Sequence, residues 1–185
     1  MNRTFKYFTL AVTGTPQPAF GTTLSAAFVP TTDGLGNPTL GQVVAVTDAD
    51  LPWERNDQVI VVEADGSLLE GASIIDIDTV GGTLTLSSLR FAHAAGARVI
   101  LNNNCTAVYV QGVDGAAGDI GIGTSRALNA TTGRKMIALL KKVPATTQPP
   151  DFSSANVMGL NPASTSEYWI VGTNPDKYLP SCIVT

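Results

Sequence analysis

One histidine and two cysteines are all that this 185-residue chain offers for imidazole or thiol chemistry. A Ser–His–Asp or Cys–His relay would have to use His93. That residue sits in Phe91-Ala-His-Ala-Ala95, and no nucleophile-elbow motif occurs anywhere. A structural or surface histidine is the expectation. A zinc centre needs several His or Cys ligands at workable spacing, and His93 with Cys105 and Cys182 does not supply them. Two cysteines with no C-x-x-C make no disulfide framework. Buried free thiols are expected, although the two could pair.

Charge is also scarce. Charged residues make up 14% of the chain, against roughly 25% in an ordinary soluble domain. The net charge is −4, which argues against nucleic acid as a major partner, since phosphate binding needs a basic face. Arg134, Lys135, Lys141 and Lys142 form the one local basic cluster, read as a solvated strand or helix end. No run approaches the length of a membrane-spanning helix, so no membrane partner is expected. Arg3 and Lys6 precede the apolar Tyr7–Val12, in the layout of a signal peptide. The stretch is too short and no small-residue cleavage site follows, so no secretion signal is expected.

What is present is apolar material for a core, 44% of residues, arranged in short alternating runs. Gln42–Val46, Gln58–Val62, Ser73–Asp78, Thr83–Leu86 and Gly96–Leu101 are separated by turn signals such as Asp65-Gly66 and Gly81-Gly82. Period-2 alternation punctuated by Gly and Asp is the signature of strands and hairpins. Five such runs predict a small β-barrel over about 42–101. The fold class is all-β, with a second β-rich region and long loops. Three parts are expected: an N-terminal arm and loop over 1–41, the barrel over 42–104, and a C-terminal β-rich domain over 105–185.

Within the first part, Arg3–Val12 is either a strand buried on both faces or an arm that pairs with a neighbouring subunit. Its apolar groups on both faces favour the arm. Pro30–Gly41 is a loop. Ala92–Ala95 has the small residues of a single helical turn. In the C-terminal part, Thr106–Gln111, Asp119–Thr124, Glu167–Val171 and Ser181–Thr185 read as strands. Arg134–Val143 fits an edge strand or a short helix, and the strand is preferred.

Each candidate for chemistry has a plainer reading. Asp76 and Asp78 lie two apart, hence on one face, and such a pair could serve a glycosidase or a hard cation. They also fit the polar outer face of a strand whose inward residues are Ile75 and Ile77. Asp48 and Asp50 fit a turn before Leu51-Pro52. Gly118-Asp-Ile-Gly-Ile-Gly123 lacks both the dinucleotide and the P-loop spacing. Trp53, Trp169 and Tyr168 could stack on a sugar, but such rings are more often core or interface anchors. No catalytic residue, cofactor or metal ligand is therefore assigned. The candidate interface residues are Phe5, Tyr7, Phe8, Leu10, Trp53 and Trp169.

Two stretches together resemble bacteriophage virion structural proteins. One is the rhythm of Val43–Leu101, similar to small barrels of phage heads and tails. The other is Ile120-Gly-Ile-Gly-Thr-Ser125, Leu128–Gly133, Met136–Leu140 and Glu167-Tyr-Trp-Ile170, similar to the distal halves of some head decoration (cement) proteins. The resemblance implies a non-enzymatic protein made in the host cytoplasm and located in the virion. It would bridge subunits of the major capsid protein as a homo-oligomer, a trimer being favoured. A tail or fibre-attachment protein and a carbohydrate-binding module are the alternatives.

Overall fold

The structure is a computed structural model that describes residues 4–7, 10–12, 17–112, 120–123, 138–140, 164, 169–172 and 176–184. Every regular element among these is a strand, so the fold is all-β. In chain order they begin with β1 (Thr4–Tyr7), β2 (Leu10–Val12), β3 (Gln17–Pro18), β4 (Gly21–Thr23) and β5 (Gln42–Ala45). There follow β6 (Gln58–Val62), β7 (Leu69–Asp78), β8 (Thr83–Leu86), β9 (Arg98–Leu101) and β10 (Cys105–Gly112). The last are β11 (Ile120–Gly123), β12 (Ala138–Leu140), β13 (Trp169–Gly172) and β14 (Asp176–Val184). They fall into two compact units, Gly21–Asn103, and Met1–Phe20 with Asn104–Thr185.

Gly21–Asn103 is a curled half-barrel. Its sheet runs β4-β9-β6-β7-β8-β5, and every neighbouring pair is antiparallel. The alternation read from sequence is the alternation of burial: Leu84 and Leu86 of β8 point into the core while Thr83 and Thr85 do not. Val44, Val59, Val61, Ile74, Val99 and Leu101 join them inside. Burying such side chains supplies about 1.5–3 kcal/mol each. The curl brings the sheet edges together at one place. Leu24 bridges Val46, flanked by Ser25 N to Ala45 O at 3.0 Å and Thr47 N to Thr23 O at 2.8 Å.

The expected boundary at 41/42 thus moves to 20/21. β4 is an integral strand of this sheet, paired with β9. The loop after Pro30 is tied to β5 by the buried Gln42. Its amide accepts from Thr31 N at 3.0 Å and donates to Thr31 O at 2.8 Å and to Thr39 O at 2.9 Å.

β7 departs from simple alternation. Ile74 pairs with Leu86, but Asp76, not Ile75, is next in register, opposite Thr85. This β-bulge turns two successive residues outward. Ile74 is the buried position and Ile75 is 43% exposed, so the expected inward position of Ile75 is corrected, whereas Ile77, half-buried and opposite the buried Leu84, keeps the inward side. The helical turn expected at Ala92–Ala95 is also replaced: His93 forms an antiparallel bridge with Phe28.

In the second unit, β14 is the central strand of its sheet. β10 pairs with it from Cys105↔Val184 to Gly112↔Tyr178. β1 pairs with it at Thr4↔Val184 to Tyr7↔Ser181, and β2 at Leu10↔Tyr178 to Val12↔Asp176. The arm reading of Arg3–Val12 is corrected accordingly: the edge expected from a neighbouring subunit is supplied by the chain's own β14. Cys105 and Cys182 lie on adjacent strands but not opposite each other, since Cys182 faces Val108. A separate sheet runs β12-β11-β13-β3.

Candidate functional site

The most concentrated group of ionisable side chains lies at one end of the half-barrel. β6 ends at Val62 opposite Leu69, where β7 begins. The connecting turn is closed by Glu63 N to Leu68 O at 3.0 Å and Gly66 N to Glu63 O at 2.8 Å. Gly66 takes φ 81°, a conformation glycine adopts without steric penalty. The turn therefore places one carboxylate at each strand end, Glu63 and Glu70.

His93 enters between them. Its Nδ1 lies 3.0 Å from Glu63 Oε1 and its Nε2 lies 3.1 Å from Glu70 Oε2. The imidazole side chain is 0% exposed. The carboxylates have further donors: Ala94 N reaches Glu63 Oε1 at 3.1 Å, while Arg90 N and Phe91 N reach Glu70 at 2.8 and 3.0 Å. The histidine backbone is held too, by Phe28 N to His93 O at 2.8 Å and His93 N to Phe28 O at 3.0 Å. The end of β6, the start of β7, the Phe28 segment and the Arg90–Ala94 loop thus converge on one ring.

This geometry does not suit nucleophilic catalysis. A relay needs one imidazole nitrogen directed at a hydroxyl or thiol, and both nitrogens here face carboxylates. Among the described residues no group of three or more His, Cys, Asp or Glu is placed to hold a metal ion; in this trio each ring nitrogen faces its own carboxylate oxygen. The sequence leaves this trio unannounced, because Glu63, Glu70 and His93 are dispersed along the chain. The available signal was a pair of glutamates flanking the Asp65-Gly66 turn.

The other candidates are placed as follows. Asp76 and Asp78 are exposed in β7. Asp76 accepts from Arg55 Nη2 at 2.6 Å, and that bond holds its carboxyl below the usual carboxylate range. Asp78 Oδ1 caps the following turn through Gly81 N at 2.8 Å. Trp53 and Trp169 are buried, 6% and 5% exposed. Phe5 and Tyr7 lie in β1 and Leu10 in β2. Phe8 and Tyr168 lie outside the described residues, as do Gly118 and Asp119. Ile120–Gly123 forms strand β11 rather than a phosphate loop.

Apolar side chains displayed on the half-barrel were not foreseen. Val80, Leu35 and Leu40 are 99%, 88% and 84% exposed. Val29, Leu69 and Phe91 are also exposed. The strand directions put Leu40, Leu69 and Phe91 at the His93 end and Val80 at the opposite end, in the β7–β8 turn. No protein-family model, curated protein or solved structure matches this chain.

Proposed function

We propose that the chain is a non-enzymatic bacteriophage virion protein, a head decoration protein that stabilises the capsid by bridging its subunits. The observation that supports this best is the surface of the half-barrel. Large apolar side chains such as Val80, Leu35 and Leu40 stand in solvent, on a chain with only 14% charged residues. Few charges need desolvation when such a surface is covered, and neutral polar groups around it suit a wide, hydrated interface. The partners are the major capsid protein and further copies of the chain, a trimer being favoured. Pressure from packaged DNA must then break the added contacts before the shell yields. The carbohydrate-binding alternative draws no support from Trp53 or Trp169, whose rings are buried rather than displayed for stacking.

The test is mass spectrometry of purified virions with copy number, followed by addition of the protein to empty capsids. Stoichiometric presence in heads and a raised capsid disruption temperature are expected. Presence confined to tails would move the assignment to a tail protein. Absence from virions would refute both.

A further inference from the structure

We infer that His93 is a proton-dependent latch that fastens the Phe28–Val29 segment and the Arg90–Ala94 loop to the β6–β7 end of the half-barrel. This inference does not depend on the virion assignment. Both ring nitrogens lie within hydrogen-bond distance of carboxylate oxygens, 3.0 Å from Glu63 and 3.1 Å from Glu70. A carboxylate is an acceptor only, and an imidazole is a donor at both nitrogens only when it carries two N–H groups. Satisfying both contacts therefore takes one proton more than a neutral ring and two carboxylates hold. When that proton leaves, a ring lone pair faces a carboxylate oxygen across about 3 Å on a fully buried ring whose carboxylate partners are only partly exposed, and unpaired buried polar groups are penalised.

The groups around the ring are accounted for. Glu63 comes from the end of β6 and Glu70 from β7. Asp65 accepts from Ser67 N at 2.8 Å, and the Arg98 guanidinium of β9 donates to Ala64 O at 2.8 Å. Arg90 lies in the latched loop and touches Glu70 through its backbone N–H at 2.8 Å.

The latch has something to release. Phe28 is held to the loop by its two backbone bonds with His93, and its side chain is buried, as is Leu89 just before the loop. Opening would expose both. The direction follows from the donor count. The closed state binds the extra proton, so it is favoured while the ring is doubly protonated and lost as pH rises through the ring's titration. Protonation of Glu63 and Glu70 removes the same attraction at the acid end.

The experiment uses the full chain and its single histidine, whose ring signals need no assignment. The ring resonances are followed by NMR from about pH 5.5 to about pH 9, which brackets the ordinary imidazole range. Amide exchange is measured alongside and corrected for its intrinsic pH dependence. Protection at Phe28, Arg90, Phe91 and Ala94 should fall together with loss of the ring proton, by roughly ten- to a hundredfold, the effect of one charge-assisted hydrogen bond. Amides in the β6–β9 ladder should keep theirs. His93→Gln should show low protection at these sites and no step with pH. The wild-type series decides the matter even if that variant does not fold. A ring that titrates while these amides stay equally protected, or a ring that never titrates in this range, would overturn the latch.

Discussion

Two glycines in the half-barrel should respond to the same substitution with opposite signs. Gly21 is buried in β4, and a Cβ built on it would lie 2.5 Å from Val99 O and 3.2 Å from Ile100 Cα. Both are backbone atoms of the adjacent β9, so no side chain can swing aside. Gly21→Ala must push β4 away from β9 along the register Gly21↔Ile100, Thr22↔Val99, Thr23↔Arg98. Over-packing of this kind costs about 1–3 kcal/mol, and the added methyl gains little because it replaces no water. Gly71, in β7 opposite Ile60, has nothing within 4 Å of the point a Cβ would occupy and no positive φ. There the substitution chiefly restricts the unfolded chain, and Gly71→Ala should stabilise by about 0.4–1 kcal/mol. The assay is urea unfolding followed by Trp53 fluorescence in a Trp169→Phe background, which reports on the half-barrel alone. Midpoints should move down for Gly21→Ala and up for Gly71→Ala at unchanged slope. Equal stability of the two variants would refute the close β4–β9 approach.

Gln42→Leu approximates the side-chain volume but strands Thr31 N and Thr39 O, while Thr31 O keeps the Thr39 N–H at 2.9 Å, and should cost about 1–3 kcal/mol; the same unfolding assay measures it, and a neutral result would mean that water replaces the amide. The Asp33 carboxyl is held below its usual range by the Asn37 backbone N–H, then the Asn37 amide and the Leu35 N–H. A lowered folded value means that its contribution is present above the ordinary carboxylate range and lost as pH falls through the folded value, so protection of the Leu35 and Asn37 amides should drop in acid and be low at all pH in Asp33→Ala. Asp76→Asn combined with Asp78→Asn should leave the unfolding midpoint within error of the parent, because both groups are exposed and the amide introduced at position 78 retains an oxygen for Gly81 N; a large shift would show that the Arg55 pair matters to the fold.

Alternation made much of the half-barrel legible. The expected runs at Gln58–Val62 and Thr83–Leu86 coincide with β6 and β8: β8 shows one face to the core and the other outward, and β6 does so up to Val61, after which Val62 is buried as well. For β7 the pattern starts only at Ser73, whereas the strand starts at Leu69. Leu69-Glu-Gly-Ala72 does not alternate cleanly and Gly71 reads as a breaker, yet β6 supplies the ladder that keeps it extended. Its bulge was invisible for a related reason. A bulge is a mismatch in residue count between partners, and a single strand's pattern carries no information about its partner. The fate of Arg3–Val12 had the same origin: apolar groups on both faces signal pairing, and topology alone decides which edge is taken.

The buried polar residues of the half-barrel follow from where its ladder stops. β4 and β5 meet through Leu24 and Val46, after which the chain from Ser25 leaves β5 and Phe28 turns to His93. Backbone groups at that seam lack the regular partner a closed barrel would give. Gln42 serves Thr31 and Thr39 on one side, and His93 with its two glutamates holds the loop that carries Phe28's partner on the other. Asp57 does the same at the opposite end of β6, accepting from Glu54 N and Asn103 Nδ2, both at 2.8 Å. These three are the buried polar or charged residues described between Gly21 and Asn103. Each stands where strands end or diverge, not within a paired stretch. Their placement is thus explained by hydrogen-bond satisfaction in the wall. Among them only the imidazole can carry either one or two N–H donors, so only there does a repair of the wall bear on the proposed latch.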